Sequence, residues 1–284
     1  MSTPYPLGIS FEFFPPNTEV GREKLMGVRD ALAEHKPRFF SVTYGAGGST
    51  QARTLNTVRA VREAGISTAP HLSCIGSEKA QLRDLLAQYR EEGIDSIVAL
   101  RGDLPSGMGG IGELRYANEL VAFIREETGD HFEIAVAAYP ESHPQAPSFE
   151  RDLDNFARKV KAGADLAITQ YFFSADAYFH FVERARALGV EAPIVPGIMP
   201  ITNYTKLARF SDACGAEIPR WIRKQLEAYG DDSDAIAKFG TEVVSRLCQR
   251  LLEGGAPGLH FYTLNQADPC LRILDNLDGS LAAR

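Results

Sequence analysis

Short apolar runs alternate with amphipathic stretches along most of the chain. Eight runs have the length and composition of buried strands, at 9–14, 39–43, 68–72, 97–100, 134–138, 166–169, 193–198 and 259–263. The stretches between them repeat apolar residues at helical spacing, at 20–34, 50–64, 77–92, 116–127, 149–162, 175–188 and 204–214. Strands that alternate with helices in this way predict the α/β class and, within it, a single (β/α)8 TIM barrel. Most runs end in residues capable of chemistry, which predicts an enzyme whose active site lies at the C-terminal face of the barrel.

The region between the seventh and eighth strands is longer than one unit requires. It predicts a short extra helix at 219–229, an acidic turn at 230–234 and a main eighth helix with Ser233 as its N-cap. Ser77 and Ser174 are predicted to cap the third and sixth helices, and a last short helix is expected at 269–277. The sequence shows no linker or low-complexity tract, so we expect residues 1–284 to form one domain.

Composition narrows the class of protein. A length of 284 residues is close to the roughly 250 of a typical single barrel, and a net charge of −7 argues against nucleic acid or an anionic membrane as the partner. There is no apolar run of about 18 residues and no signal-peptide pattern, so we expect a cytoplasmic protein with reduced cysteines. The six histidines include no H-x-H or H-E-x-x-H motif, and no metal site is expected.

The first strand places a carboxylate inside the predicted barrel. Ile9, Phe11 and Phe13 share one face of this strand, and Glu12 lies on the other. The apolar face should pack against the helices, which directs Glu12 into the barrel near its C-terminal mouth. An unpaired carboxylate there is costly. Glu12 is therefore expected either to form an internal salt bridge or to take part in chemistry.

Two further patterns bear on cofactor binding. The segment 107–112 matches G-x-G-x-x-G, but residues 101–106 separate it from its strand and it belongs to the fourth unit, so we interpret it as a mobile loop over the mouth. No strand ends in Lys, which disfavours Schiff-base chemistry. Asp152, Asn155, Arg158 and Lys159 share one face of the fifth helix. This face is either a solvated surface or a site for a cofactor that carries phosphate and ribose.

Seven motifs at the strand ends, taken in order, carry a family resemblance. They are FEFFPP at 11–16, SVTYGA at 41–46, APHL at 69–72, LRGDLP at 100–105, AAYPE at 137–141, ITQ at 168–170 and HFYTLN at 260–265. Over 9–266 the chain resembles the methylenetetrahydrofolate reductases, in their compact bacterial form without a regulatory domain. The resemblance implies an FAD-dependent oxidoreductase of one-carbon metabolism that reduces 5,10-methylenetetrahydrofolate to 5-methyltetrahydrofolate. The reductant would be NADH or NADPH, in a ping-pong mechanism.

The resemblance also assigns roles to individual residues. Glu12 would be the general acid, with its pKa raised by burial and by the nearby Asp103, and the ionised Asp103 would stabilise a cation formed on the folate. The implied cofactor-binding residues are Thr43, Tyr44, Ala46, His71, Arg101, Gly102, Asp103, Ala117, Tyr139, His143, Ala146, Asp152, Asn155, Arg158 and Lys159. The implied substrate-binding residues are Glu12, Thr43, Asp103, Gln170, Lys206, Phe210, Tyr262 and Gln266.

Two positions depart from the family pattern, and two alternatives stay open. Lys206 stands where a Gln contacts substrate, and Gln266 stands where an Arg follows Thr-Leu-Asn, which puts the contact to the folate tail in doubt. The first alternative is another FAD-bearing barrel oxidoreductase, similar to proline dehydrogenase. The second is a folate- or flavin-binding protein without turnover. Folate and pyridine nucleotide are the expected small-molecule partners, and we expect a homo-oligomer.

Overall fold

Parallel strands alternate with helices through residues 8–44, 48–102 and 112–277, which are the residues that the computed structural model describes, with backbone alone at 48–51. The strands are β1 Gly8–Phe13, β2 Phe39–Val42, β3 Thr68–Ser73, β4 Ser96–Leu100, β5 Glu133–Ala138, β6 Leu166–Thr169, β7 Ile194–Val195, β8 Gly197–Ile198 and β9 Gly258–Tyr262. The helices are α1 Glu19–Ala33, α2 Gly48–Arg62, α3 Lys79–Glu91, α4 Ala117–Thr128, α5 Phe149–Lys161, α6 Ala175–Ala187, α7 Tyr204–Cys214, α8 Arg220–Tyr229, α9 Ser233–Glu253 and α10 Asp268–Asp275.

The strands form a ring of parallel neighbours in the order β7-β6-β5-β4-β3-β2-β1-β9-β8. The two end strands, β7 and β8, are halves of the seventh predicted strand and are separated by Pro196, which has no backbone N–H to donate to a ladder. β7 pairs with β6 and β8 pairs with β9, so the broken strand closes the barrel. The predicted (β/α)8 TIM barrel is thereby confirmed.

The core has two layers, as the alternation of strand side chains requires. Outward-facing residues such as Phe11 and Phe261, whose ring centroids are 5.6 Å apart, pack with the helices in the larger layer. A smaller layer fills the barrel itself and includes Phe39, Val98 and Ile168. Burial of one such Phe side chain contributes about 1.5–3 kcal/mol. The outward direction of Phe11 and Phe13 confirms the predicted orientation of the first strand and leaves Glu12 inside.

The additional helices near the C-terminus are confirmed with small shifts of their ends. α8 is the extra helix before the eighth unit, and α10 is the predicted last helix, which packs against α9. Ser174 is the N-cap residue of α6, as predicted, although its side chain forms no capping hydrogen bond.

Two predicted caps are wrong by one residue. Glu78, which is extended at φ −83° and ψ 146°, is the N-cap residue of α3, and Ser77 lies one position too early. At α9 the cap is Asp232, whose Oδ1 accepts a hydrogen bond of 3.0 Å from the backbone N–H of Ala235, and Ser233 is already helical. A capping side chain must reach an N–H two or three residues ahead, and a shift of one residue removes that reach.

Some sequence-based interpretations fall on residues that the structure does not describe. The glycine-rich segment 107–112 lies outside the described residues except for Gly112, and Ala46 and Asp103 lie outside them as well. None of the helices within 8–44, 48–102 and 112–277 is long and apolar enough to span a membrane.

Candidate active site

A cavity of about 540 Å³ opens at the C-terminal ends of the strands. Nine residues predicted as site residues line it: Glu12, Thr43, Tyr44, His71, Tyr139, His143, Gln170, Phe210 and Tyr262. They come from several different strands and from the loops that follow them, and the barrel alone brings them together. This location is where TIM barrels carry their active sites.

A second cavity, of about 550 Å³, opens at the opposite end of the barrel. Its charged residues are largely paired with one another. Arg38 forms an ion pair with Glu133, and Arg125 lies 2.6 Å from Asp165. Ser67 donates to Asp95 over 2.7 Å. We interpret this network as a closure of the barrel floor, because its polar groups already satisfy one another.

Glu12 lies between two buried histidines at the base of the mouth cavity. Its Oε2 is 3.2 Å from Nε2 of His71 and 3.5 Å from Nε2 of His260. Both contacts are at ion-pair distance, yet neither ring nitrogen forms a well-aligned hydrogen bond with a described residue. The Glu12 side chain is 16% exposed and the His260 side chain is fully buried. The internal partners weighed from the sequence are therefore present, and Glu12 faces the cavity beside them.

The two imidazoles reverse the expected titration of Glu12. Burial raises the pKa of this carboxyl, but the charge of His71 and the contacts with His260 outweigh it and lower the pKa from its ordinary value of 4.5 to about 2. The expectation of a raised pKa is thus wrong. The physical reason for the lowered pKa is that partners of opposite charge within about 4–6 Å favour the ionised form of the carboxyl. Glu12 is a carboxylate in the free protein.

His260 is a site residue that the sequence reasoning missed, although the motif containing it was recognised. In the β1–β9 ladder, Ser10 pairs with His260 and Glu12 pairs with Tyr262. All four side chains consequently point to the barrel interior. Ser10 Oγ and His260 Nδ1 are 2.8 Å apart, and this contact fixes the orientation of the ring. The alternation along β9 was the available signal, since His260 precedes Tyr262 by two residues.

Tyr262 is held across the barrel by β6 and β8. Its hydroxyl donates to the carbonyl of Thr169 over 2.7 Å, and the backbone N–H of Gly197 donates to Thr169 Oγ1 over 2.9 Å. A Cβ at Gly197 would lie 2.1 Å from the Thr169 carbonyl oxygen and 2.7 Å from the Tyr262 ring. Burial raises the pKa of Tyr262 well above its ordinary value of 10. The side chain is therefore a fixed, neutral wall of the cavity.

The end of β4 leads into a position that only glycine can occupy. Gly102 has φ +84°, and a Cβ there would lie 1.9 Å from Ser73 Oγ. Ser73 donates to the carbonyl of Arg101 over 2.8 Å, which holds the turn in place. The Arg101 guanidinium donates to Gln145 Oε1 over 2.6 Å, and Gln145 itself lines the cavity. The turn after β4 and the Arg101 guanidinium are thus fixed at the rim of the cavity.

The polar face of α5 divides into an inner and an outer half. Asp152 accepts a hydrogen bond of 2.8 Å from the backbone N–H of His143, and the ammonium of Lys159 donates to the carbonyl of Ala137. Burial lowers the pKa of Lys159 from 10.5 to about 8, and Asp152 opposes this shift. Asn155 and Arg158 are exposed to solvent.

The remaining predicted residues lie around the cavity rather than on its wall. Ala117 is the first residue of α4, and the backbone N–H of Ala146 donates to the carbonyl of His143 over 2.8 Å. Lys206, on the first turn of α7, and Gln266, after β9, are both exposed. The structure therefore brings together nine of the predicted residues and places these four at the periphery, and their roles stay predictions.

The fold and the mouth define a class of protein: a barrel enzyme whose buried carboxylate and two imidazoles face a cavity at the strand C-termini. The model of the family "Methylenetetrahydrofolate reductase" matches residues 6–278. The chain belongs to the methylenetetrahydrofolate reductase family.

Individual relatives agree with this membership. The chain is 41% identical to 5,10-methylenetetrahydrofolate reductase of Pectobacterium carotovorum over 272 residues, and 39% identical to that of Escherichia coli; each alignment covers 95% of this chain and 90% of the relative. It is 39% identical to a probable methylenetetrahydrofolate reductase (NADH) of Oryza sativa, of which it covers 48%. Among solved structures, a Clostridium thermocellum protein that binds two copies of 5-methyl-5,6,7,8-tetrahydrofolic acid has a TM-score of 0.69 at 16% identity. The match covers 99% of this chain and 97% of that one. At this identity the likeness shows that the two proteins share a fold and no more.

Proposed function

We propose that this protein reduces 5,10-methylenetetrahydrofolate to 5-methyltetrahydrofolate with a pyridine nucleotide as reductant and FAD as the bound cofactor. Family membership supports the reaction. The observation that carries the proposal is the position of Glu12, a buried carboxylate flanked by His71 and His260 at the base of the mouth cavity. Ring opening of the substrate needs a proton at one defined atom, and this cluster can supply it.

The residues around the mouth fit a flavin with a phosphate-bearing tail. Gly102 turns the chain at the end of β4, where a Cβ would strike Ser73 Oγ, and the buried Nε2 of His71 forms no well-aligned hydrogen bond with a described residue. Tyr44 and Tyr139 give the cavity an aromatic wall, and the exposed Arg158 offers a cation for phosphate. When bound, FAD would accept hydride from the pyridine nucleotide and donate it to the folate.

The proposed residues for FAD are those that the resemblance assigned. Around the ring and ribityl chain they are Thr43, Tyr44, Ala46, His71, Arg101, Gly102, Asp103 and Tyr139. Toward the rest of the cofactor they are Ala117, His143, Ala146, Asp152, Asn155, Arg158 and Lys159. For Asp152 and Lys159 the supporting role is to hold the loop after β5 at His143 and the end of β5 at Ala137, because their side chains are already bonded there.

Glu12 moves the proton that opens the five-membered ring of methylenetetrahydrofolate. The proton must reach nitrogen 10 of the substrate, and Glu12 is ionised in the free protein. The proton therefore comes through His71 or His260, whose Nε2 atoms lie 3.2 and 3.5 Å from the carboxylate. A folate bound over this cluster excludes water, which makes the carboxylate more basic and promotes the transfer. Asp103 is proposed to stabilise the cation that ring opening leaves on the substrate.

One cavity serves both substrates in turn, which is the basis of a ping-pong cycle. Gln170 and Phe210 both line the mouth and would contact first the nicotinamide and then the pterin. Phe210 is 44% exposed, so its ring is available for stacking with either ligand. Tyr262 and Thr43 complete the wall near Glu12.

Anaerobic stopped-flow absorbance of the purified holoprotein tests the proposal. NADH, or NADPH in a parallel series, should bleach the flavin band, and methylenetetrahydrofolate should then restore it with formation of 5-methyltetrahydrofolate. A flavin that is reduced by proline and ignores folate would indicate an enzyme similar to proline dehydrogenase. Spectral shifts without any bleaching would indicate a binding protein without turnover. Either result would refute the proposed reaction.

A further inference from the structure

His260 is the middle member of a buried chain of three polar side chains in the barrel interior. Its Nδ1 is 2.8 Å from Ser10 Oγ, and its Nε2 is 3.5 Å from Oε2 of Glu12. The register of β1 and β9 sets this arrangement, since Ser10 pairs with His260 and Glu12 lies two residues further along β1. Side chains two residues apart on a strand share a face, so Ser10 and Glu12 approach the two ring nitrogens from the same strand.

The two imidazoles beside Glu12 differ in their access to the cavity. His71 lines the cavity and is proposed to contact the flavin. His260 is fully buried, with the ring of Phe39 stacked against it at a centroid distance of 5.8 Å. The ring of Tyr262 meets it edge-on at 5.4 Å. Ligands in the cavity therefore reach His71 but not His260, and the protonation of His260 depends on its neighbours inside the barrel.

Only a few titratable groups lie on the strands around this ring. Those of the described strands are Glu12, His71, Glu133, His260 and Tyr262. Glu133 is paired with Arg38 at the barrel floor, and burial raises the pKa of Tyr262 well above its ordinary value of 10, so that Tyr262 stays neutral. Glu12 and His71 are therefore the titratable partners on the Nε2 side of His260, and the neutral Ser10 is its partner at Nδ1.

A hydroxyl suits Nδ1 because it can accept or donate a hydrogen bond. When His260 is an imidazolium, Ser10 Oγ accepts from the Nδ1–H. When the ring has lost its proton from Nδ1, the hydroxyl can donate to that nitrogen instead. Hydrogen bonds to charged groups are stronger than those between neutral groups, so Ser10 stabilises the protonated ring more than the neutral one. Without the hydroxyl, a buried cation would keep an unpaired N–H, which is the more costly of the two states.

We infer that Ser10 is a positioning residue that acts through His260 to hold the proton that His260 passes to Glu12 for ring opening. This inference rests on the proposed function and selects His260, rather than His71, as the source of the proton. The Nε2–H bond of His260 breaks as an O–H bond forms on Glu12, and this proton then moves to nitrogen 10 of the folate. Glu12, the partly exposed member of the pair, takes up a proton from water in the cavity and returns it to His260 before the next turnover.

The pH dependence of the folate half-reaction tests the inference in the FAD-loaded protein. Reoxidation of the reduced flavin by methylenetetrahydrofolate should slow with rising pH as the pair of His260 and Glu12 loses its proton. In Ser10→Ala the midpoint of this decline should move to lower pH by roughly 0.5–1 unit, which corresponds to the loss of one hydrogen bond. Ser10→Thr keeps the hydroxyl and should restore the parent midpoint. Reduction by NADH needs no proton from this pair and should keep the parent rate in both variants.

Titration of His260 by NMR gives a readout that does not depend on turnover. The protein carries isotope-labelled histidine, and the His260 signal is identified by its absence in His260→Gln. In Ser10→Ala its midpoint should move to lower pH by the same amount as the kinetic midpoint. Ser41→Ala is the matched control, because Ser41 is a buried serine on β2 that pairs with Glu12 in the ladder, and its Oγ has no hydrogen-bond partner among the described residues. It should leave both midpoints unchanged.

Each other outcome contradicts a defined part of this reasoning. A slower reaction with unmoved midpoints in Ser10→Ala would show a purely structural role and overturn the inference. The same shift in Ser41→Ala, or a Ser10→Thr variant that keeps the midpoint of Ser10→Ala, would also overturn it. A shift by NMR without a kinetic shift would assign the proton to His71 and leave the proposed function standing. A parent whose reduced flavin is not reoxidised by methylenetetrahydrofolate at any pH would refute the proposed function and the inference together.

Discussion

Replacement of Glu12 by Gln separates the proton transfer from every other step. Gln has nearly the size of Glu and can still form hydrogen bonds, but it cannot deliver a proton. Reduction by NADH requires no acid at this position and should proceed at the parent rate. Reoxidation by methylenetetrahydrofolate requires ring opening, and it should slow by roughly 10²–10⁴-fold, the usual contribution of general acid catalysis.

The structure gives the same substitution a second, independent consequence. The pKa of Glu12 is lowered from 4.5 to about 2, which corresponds to a net stabilisation of the ionised form by about 3 kcal/mol after the cost of burial. Gln keeps the volume but loses the charge beside His71 and His260. The free energy of unfolding at pH 7 should therefore fall by about 1–3 kcal/mol, measured by urea denaturation. The variant should remain folded and retain its flavin.

The assay is stopped-flow reoxidation of the reduced protein with two acceptors. Methylenetetrahydrofolate reports ring opening, and menadione accepts electrons without it, so only the first rate should fall. Glu141→Gln is the matched control, since Glu141 is a half-buried glutamate after β5 that accepts a bond of 2.8 Å from the backbone N–H of Glu217. If Glu12→Gln reduced methylenetetrahydrofolate at the parent rate, Glu12 would be a structural carboxylate and the acid would lie elsewhere.

Three further predictions concern the pH dependence of the Glu12 contribution, the cations of α5 and the glycine after β4. The stability contributed by Glu12 is present above its ordinary pKa of 4.5 and is lost as the pH falls toward about 2. The difference in unfolding free energy between the parent and Glu12→Gln should therefore shrink over that range. A constant difference would contradict the lowered pKa of Glu12. Arg158→Ala should release FAD on dilution without lowering the melting temperature. Lys159→Ala should release FAD and also lower the melting temperature, because Lys159 donates to the carbonyl of Ala137. If both variants retained FAD as the parent does, this face of α5 would be a solvated surface. Gly102→Ala should lower the melting temperature more than Gly65→Ala, since both have positive φ but only Gly102 would bring a Cβ against Ser73; equal losses in calorimetry would exclude the clash.

Local patterns in the sequence were sufficient for the architecture because each strand and helix carries its own periodicity. The alternation in β1 set the direction of Glu12, and the strand-end motifs marked residues such as His71 and Gln170 that the barrel brings to one cavity. The errors at this level were small, as at the cap of α9. A serine and an aspartate in adjacent positions are both good caps, and only the backbone conformation selects Asp232.

The electrostatic state of the site was decided by tertiary structure alone. Ser10 and His260 are 250 residues apart in sequence and 2.8 Å apart in space. His71 reaches Glu12 from β3, with β2 between their strands. A pKa depends on charges within a few ångströms, and no periodicity along one strand reports which side chains lie across the barrel. The sequence therefore determined that a carboxylate faces the mouth, and barrel closure determined that two imidazoles keep it ionised.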